Sequence, residues 1–557
     1  MQNMDDDRTI EEVPEFPILA LRTLFTLSWL AITVIFTFSS ETEYTPPVAY
    51  PICGPVLGIE GTVEDQSLHI YYGIPYVRPA LLQNRFRKVS VMTNPWPFLL
   101  DARDMPRPCP QLSRNVGKLT IDNSNSSEDC LYLNIYVPSR KVAERDVAFP
   151  IIIIVHGGGY YSGSNSFPFY DGKYIAAYGK AMVVVPNYRL GIFGFFSSST
   201  GDAPGNQGLS DVYFALRWVK NNAAAFGGNT STVTLLGHDV GSALIGLLNT
   251  IPGASDLFQR VIMLSGSPYM RYLQNRGRDT VQEKKNLLDH LGCSNVAKPL
   301  ECMRGKPQKE IMDLVSRVAQ WQTMYVPLQF ENLQVDPGTA LEKIPIKKDM
   351  LIGTTENGGA YFANFFLELH SVYDVTSLDR ESIRAHMKTA IEMLGIRNAD
   401  IILEHYDSSL SKAAQPMSVF AQAMSDIILN CPMSRFARDS VGENQVYVYV
   451  FNLNPRYRTA DTAGYPDDVY FFVGFTLGAP TTVLTTTANE KALTKELIKS
   501  LVSFAVTGVP GEINNITWPR FTKEENSHLY IGDHVTPALR YREKTCQKLR
   551  EALFSRE

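Results

Sequence analysis

The sequence has no surplus of basic residues: 52 Lys and Arg stand against 57 Asp and Glu, a formal net charge of −5 over 557 residues. Residues 1–16 hold six acids (Asp5, Asp6, Asp7, Glu11, Glu12, Glu15) and one base, Arg8. They account for the whole imbalance, and the remaining chain is formally neutral. A broad electrostatic footprint for nucleic acid needs clustered excess base and is excluded. Internal repeats, low-complexity tracts and an evident domain linker are also missing. At 45% hydrophobic and 11% aromatic residues, the composition is too apolar for disorder and too varied for a fibre. No cofactor and no metal are expected.

Long hydrophobic runs are scarce too, with one exception. Residues 17–38 (PILALRTLFTLSWLAITVIFTF) carry a single charge, Arg22. At ~1.5 Å of rise per residue they make a helix of roughly 33 Å, enough to span a bilayer core. Arg8 and Arg22 lie at or before its start, and no Lys or Arg occurs from Ser39 to Val77. That asymmetry puts the N-terminus in the cytoplasm and the bulk of the chain outside. The organisation expected is an acidic cytoplasmic tail (1–16), a transmembrane signal-anchor (17–38), a short extracellular stalk (39–57) and one ectodomain (58–557). The alternative is a signal peptide cleaved near Ser39–Ser40 and a secreted product. The acidic start and the length of the run favour the anchor.

Cysteine agrees with export. Seven are present, an odd count that in an oxidising compartment suggests three bridges and one leftover thiol. Spacing favours the short loops Cys109–Cys130 and Cys293–Cys302, leaving Cys431 for Cys546. Cys53 is then a lone thiol, in the stalk or buried, or a bridge in a homodimer. Sequons at Asn125, Asn229 and Asn515 are expected to be glycosylated on an exported chain.

From about Gly58, buried-strand runs such as Ile151–Val155, Met182–Val185, Val233–Leu236, Val261–Leu264, Met350–Ile352 and Val446–Phe451 alternate with helical patterns such as Asp211–Ala225. This alternation predicts an α/β domain, a large, mostly parallel sheet with helices on both faces. Within it, a strand runs into Gly237-His238-Asp239-Val240-Gly241 and then an apolar helix.

Several blocks carry a resemblance: YYGIPYVRP (71–79), SEDCLYLNIYVP (127–138), HGGGYYSG (156–163), PNYRLGIFGF (186–195), GNQGLSDVYFALRWVKNNAAAFGG (205–228) and VIMLSGSP (261–268). In this order the chain resembles the carboxylesterase/cholinesterase family, and the resemblance implies the α/β-hydrolase fold with Asp239 at its nucleophile elbow. It supports the three disulfides and implies the ion pairs Arg189–Asp211 and Arg85–Glu128. It also implies an oxyanion hole from the amides of Gly158, Gly159 and Val240.

The same resemblance places Asp239 where family enzymes carry serine, Gly358 where the triad acid belongs (Glu356 stands two residues away) and Tyr465 where the histidine belongs. Histidine is scarce: nine in all, none between Tyr406 and Ser527. A tyrosine, with a pKa near ~10, is a poor base for a hydroxyl. His156 and His238 read as structural. Asp239 could instead cap the helix as a carboxylate seated in the anion niche. No Trp lies between Cys109 and Cys130, so a cage for quaternary amines is not expected.

The function expected is that of the catalytically inactive, cholinesterase-like adhesion proteins (neuroligin, gliotactin and neurotactin-like). Such a protein is not an enzyme but a membrane-anchored surface protein, neuronal or epithelial, meeting an extracellular protein partner either alone or as a homodimer. Two alternatives stay open: a pseudoenzyme that binds a small ligand, and a residual hydrolase with Asp239 as nucleophile. An attacking aspartate would form an alkyl-enzyme ester, which needs a histidine-activated water for release.

Overall fold

The β-branched runs form the centre of the molecule because strands buried on both faces need apolar side chains pointing each way. The computed structural model describes residues 46–92, 95–116, 119–139, 148–270, 280–317, 346–372, 374–396, 398–442, 444–453 and 466–554. The tail, the apolar run 17–38 and Tyr465 lie outside the described residues. Among the described residues no helix is long and apolar enough to cross a membrane.

The strands needed here are β1 (Val48–Ala49), β2 (Val56–Leu57), β3 (Ile59–Val63), β4 (Gln66–Pro75), β5 (Leu100–Asp101), β6 (Tyr132–Pro138) and β7 (Phe149–Val155). They continue with β8 (Met182–Pro186), β9 (Gly228–His238), β10 (Arg260–Leu264), β11 (Asp349–Thr355), β12 (Val446–Phe451), β13 (Ser527–Ile531) and β14 (Val535–Leu539). An eleven-stranded sheet runs in the order β14-β13-β12-β11-β10-β9-β7-β8-β6-β4-β3. From β13 to β8 every pairing is parallel. At both ends, β14–β13 and β8–β6–β4–β3, the pairings are antiparallel. The sheet is therefore mixed, parallel in the centre where crossover helices cover it and antiparallel at its flanks.

Alternation along single strands explains the two cores. Ile151, Ile153 and Val155 of β7 enter one apolar layer, while Ile152 and Ile154 enter the other. The main helices are α1 (Lys173–Gly179), α2 (Gln207–Asn222), α3 (Val240–Leu248), α4 (Gly359–Leu369), α5 (Asp467–Val473) and α6 (Ala488–Thr507). Leu209, Val212, Leu216 and Val219 of α2 join the first layer; Leu497, Ile498, Leu501 and Phe504 of α6 join the second. Local signals set the ends of α6. Thr487 accepts from the Glu490 amide and the Glu490 carboxylate accepts from that of Thr487, a capping box, and Gly508 (φ 84°) closes the helix. Loss of such a cap costs about 1 kcal/mol.

All three disulfides form: Cys109–Cys130, Cys293–Cys302 and Cys431–Cys546. Both expected ion pairs form as well. The buried guanidinium of Arg189 meets Asp211 with Nε–Oδ2 and Nη2–Oδ1 distances of 2.7 Å. Arg85 Nε lies 2.7 Å from Glu128 Oε2, and its Nη1 also donates to the carbonyls of Arg304 and Lys306. Near the last disulfide, buried Asp426 accepts from Arg542 Nε (2.8 Å) and the Tyr406 hydroxyl (2.5 Å), fastening the C-terminal segment.

One boundary moves. The span 39–57, expected to be a stalk, is packed from Pro47 onward, and Pro47–Glu557 form one compact unit. β1 pairs with β2, β2 with β5, and Val56 is fully buried. Apolar residues in VAYPICGPVL (48–57) supply the burial that a free stalk would not have. Cys53 is a buried free thiol, its pKa pushed up to about 11 by desolvation. Both burial and pKa argue against a bridge between copies.

Candidate functional site

β9 ends at His238, and the chain turns into α3 within one residue. Asp239 takes φ 54°, ψ −123°, a region that costs a residue with a Cβ of order 1–3 kcal/mol. The surroundings enforce it. The Asp239 amide donates to the Leu264 carbonyl (2.9 Å). A Cβ on Gly241 would collide with the Val155 carbonyl, and one on Gly266 with that of Asp239 itself. The G-x-x-x-G spacing thus answers to backbone contact between β7, β9, α3 and the end of β10.

Facing the elbow is the turn His156–Gly159, where Gly158 and Gly159 adopt φ 115° and 64°. Their amides converge on one atom: Gly158 N–H and Gly159 N–H donate to Asp239 Oδ2 at 2.8 and 3.0 Å. A carboxylate oxygen therefore sits in the two-amide niche where an acyl-transfer oxyanion would be held. Asp239 is 3% exposed, so both bonds are made out of reach of water. Val240, the third expected donor, is the first residue of α3 and fully buried.

Two histidines border this turn. His156 is wholly buried, stacks on Tyr188 (centroids 4.2 Å apart, planes at 15°) and places Nδ1 3.0 Å from the Gly157 carbonyl. Burial pulls its pKa down to about 4. The Gly157 amide donates to the Tyr170 hydroxyl (2.8 Å), which pairs with His238 Nδ1 at 2.8 Å. Behind the elbow, Ser265 Oγ (2.5 Å) and the Tyr449 hydroxyl (2.7 Å) both donate to the buried Asp468 Oδ2, and the Thr355 amide donates to Ser265 Oγ. This knot ties the ends of β10, β11 and β12 to α5. No role is expected from sequence for Tyr170, Ser265 or Asp468, although Ser265 lies inside VIMLSGSP (261–268); nothing local marks a polar residue as a tie between distant strands.

The other expected triad positions differ from the elbow. Gly358 is the N-terminal cap of α4 at φ −60° and is buried. A Cβ there would lie 2.5 Å from both Leu429 Cδ1 and Thr355 Oγ1, so no side-chain space is held open. Glu356 Oε2 accepts from the Tyr530 hydroxyl (3.1 Å) on β13. Tyr465 lies outside the described residues, just before α5. A cavity of about 110 Å³ beside the oxyanion turn is lined by Gln111, Tyr161, Ser162, Phe193 and Met312 among others, and Asp239 does not line it. Such a volume is small against the ~300–1,000 Å³ of ordinary ligand sites. No cluster of potential metal ligands occurs among the described residues. Asn125 and Asn515 are exposed; Asn229 is half-buried, its Oδ1 accepting from the Ser231 amide.

Comparison with known proteins adds lineage to this geometry. The carboxylesterase family model matches residues 45–549. Among curated relatives, the acetylcholinesterase of Leptinotarsa decemlineata is 28% identical over 533 residues, 87% of this chain and 82% of that protein. The cholinesterase of Mus musculus is 28% identical over 509 residues (86% and 82%), and the acetylcholinesterase of Bungarus fasciatus 28% over 523 (87% and 83%).

Proposed function

The chain belongs to the carboxylesterase family, and from that premise we propose that it is a non-catalytic, cholinesterase-like recognition protein of the cell surface. In this reading residues 17–38 anchor it with the N-terminus in the cytoplasm, and the disulfide-bonded domain meets an extracellular protein. The three disulfides accord with an exported domain. One observation carries the loss of catalysis: Asp239 Oδ2 accepts both oxyanion-turn amides. An ester carbonyl would have to displace this pair of bonds, and the residue that makes them is not a hydroxyl nucleophile. Gly358, with Leu429 and Thr355 against it, supports the same reading. So do His156 and His238, which are committed to the Gly157 carbonyl and the Tyr170 hydroxyl.

The test is adhesion. Cells displaying the full chain are expected to bind neuronal or epithelial cells, with binding unchanged by Asp239→Asn. Absence of binding together with ester turnover would overturn the reading.

The same geometry favours one secondary reading. With one oxygen held by two amides, an aspartate is oriented as an alkyl-transfer nucleophile would be. Attack on an epoxide carbon would break a ring C–O bond, the alkoxide would take a proton from water, and the enzyme ester would persist. Intact-mass measurement after exposure to an epoxide distinguishes the two: a single adduct lost in Asp239→Asn supports alkylation, and an unmodified chain removes it.

A further inference from the structure

The small sheet β1-β2-β5 presents large apolar side chains to solvent at one end. Tyr50 (75% exposed) and Ile52 (78%) lie in the turn from β1 to β2; Phe98 (77%) and Leu99 (50%) lie in the segment entering β5. Because β2 and β5 are parallel, the turn and the entering segment meet at the same end of the sheet. Hydrogen bonds hold them together there: Trp96 N–H to the Cys53 carbonyl (2.9 Å), Leu100 N–H to the Pro55 carbonyl (2.9 Å), and the Trp96 indole to the same Pro55 carbonyl (3.0 Å).

The tip is also fixed to the body of the domain. The Ile52 amide donates to Asn222 Oδ1 at the end of α2 (3.0 Å). Gly54 (φ 121°) lets the Trp96 ring pack so closely that a Cβ would come within 2.6 Å of it. These apolar groups are therefore presented on a rigid support rather than on a wandering loop. Grouped exposed apolar residues of this kind mark an interaction surface.

Composition narrows the occupant. Neither 44–59 (YTPPVAYPICGPVLGI) nor 89–100 (VSVMTNPWPFLL) contains a charged residue. Charge begins at the rim, with the exposed Arg103–Asp101 pair. An apolar, aromatic, uncharged tip suits the interfacial zone of a bilayer, where Tyr, Trp and Phe settle at headgroup level. Chain length supplies the second argument. The apolar run ends at Phe38, only a dozen residues before Tyr50, and even a fully extended linker of that size reaches roughly 40 Å. A tether that short keeps the tip at high effective concentration near the membrane, so weak insertion suffices.

We infer that Tyr50, Ile52, Phe98 and Leu99 rest in the outer headgroup layer of the membrane that the 17–38 run spans, setting the domain's orientation on the surface. This inference rests on the anchored reading above. The full chain, reconstituted in phosphatidylcholine vesicles containing a diazirine-bearing lipid, is irradiated and the labelled peptides are mapped by mass spectrometry. Label is expected in 17–38 and also in 47–58 and 95–101. In Ile52→Ser/Phe98→Ser the latter two fall to background while the first is unchanged. Leu539→Ser, an exposed apolar residue on β14, leaves all three as they were. Label in 17–38 alone overturns the docking and leaves the anchor standing; label in none of the three overturns both. Cross-links between copies through 47–58 and 95–101, without lipid label there, also overturn it, in favour of self-association.

Discussion

The elbow at Asp239 with the turn facing it, and the turn that begins α4, are the two described positions expected to carry a nucleophile and an acid, and they differ in backbone and surroundings. At the elbow, positive-φ backbone, close glycine contacts and converging amides are all in place, and a carboxylate completes them. At Gly358 the backbone is ordinary and the side-chain space is taken by Leu429 and Thr355. The elbow is where β7, β9, β10 and α3 cross, so it is indispensable to the fold whether or not anything is hydrolysed. Gly358 is no such crossing point, and the side chains of Leu429 and Thr355 border it.

Substitutions can break this contrast or sharpen it. The largest effect is expected for Gly241→Ala, whose Cβ meets a backbone carbonyl that cannot move away. It should lose about 3 kcal/mol or more in denaturant unfolding, or fail to accumulate.

Next is acid sensitivity arising from the retained half. The pKa of His156 falls from an ordinary 6.5 to about 4 on burial. Between those values the unfolded chain binds the proton and the folded one does not. Stability from this residue is therefore complete above pH 6.5 and is lost as pH falls toward 4, by about 3 kcal/mol in total. Denaturation midpoints measured across that window should show the slope, and His156→Gln should flatten it.

Asp239→Ala removes the acceptor shared by two amides and is expected to cost about 2 kcal/mol in the same assay. The smallest effect belongs to Gly358→Ala, about 1 kcal/mol, because φ is already helical and the two groups that must give way, the Leu429 methyl and the Thr355 hydroxyl, belong to side chains rather than to backbone. If Gly358→Ala proved as damaging as Gly241→Ala, the two regions would not differ as argued.

Much of this was legible in the sequence because it rests on local pattern. Isoleucine runs announced the buried strands, cysteine spacing announced three bridges, and the glycines around Asp239 announced a tight strand-to-helix turn. Legibility failed where long-range packing decides. The antiparallel flanks of the sheet carry the same alternation as its centre, so direction could not be read. VAYPICGPVL looked like a linker because β1 and β2 are two residues long and gain their burial from β5, more than forty positions later. The Asp468–Ser265–Tyr449 knot joins three separate segments, and no spacing rule links them. Asp239 was expected to cap α3, but its side chain makes no cap bond there; Oδ2 accepts instead from the Gly158 and Gly159 amides across the elbow, a contact that needs the turn and the elbow in one frame.

The most direct test of the central claim is steady release of p-nitrophenolate from p-nitrophenyl acetate by the purified full chain, beside Asp239→Asn. With the oxyanion niche filled by its own carboxylate, the chain should release product no faster than Asp239→Asn or buffer alone. Sustained multiple turnover that disappears in Asp239→Asn would contradict it.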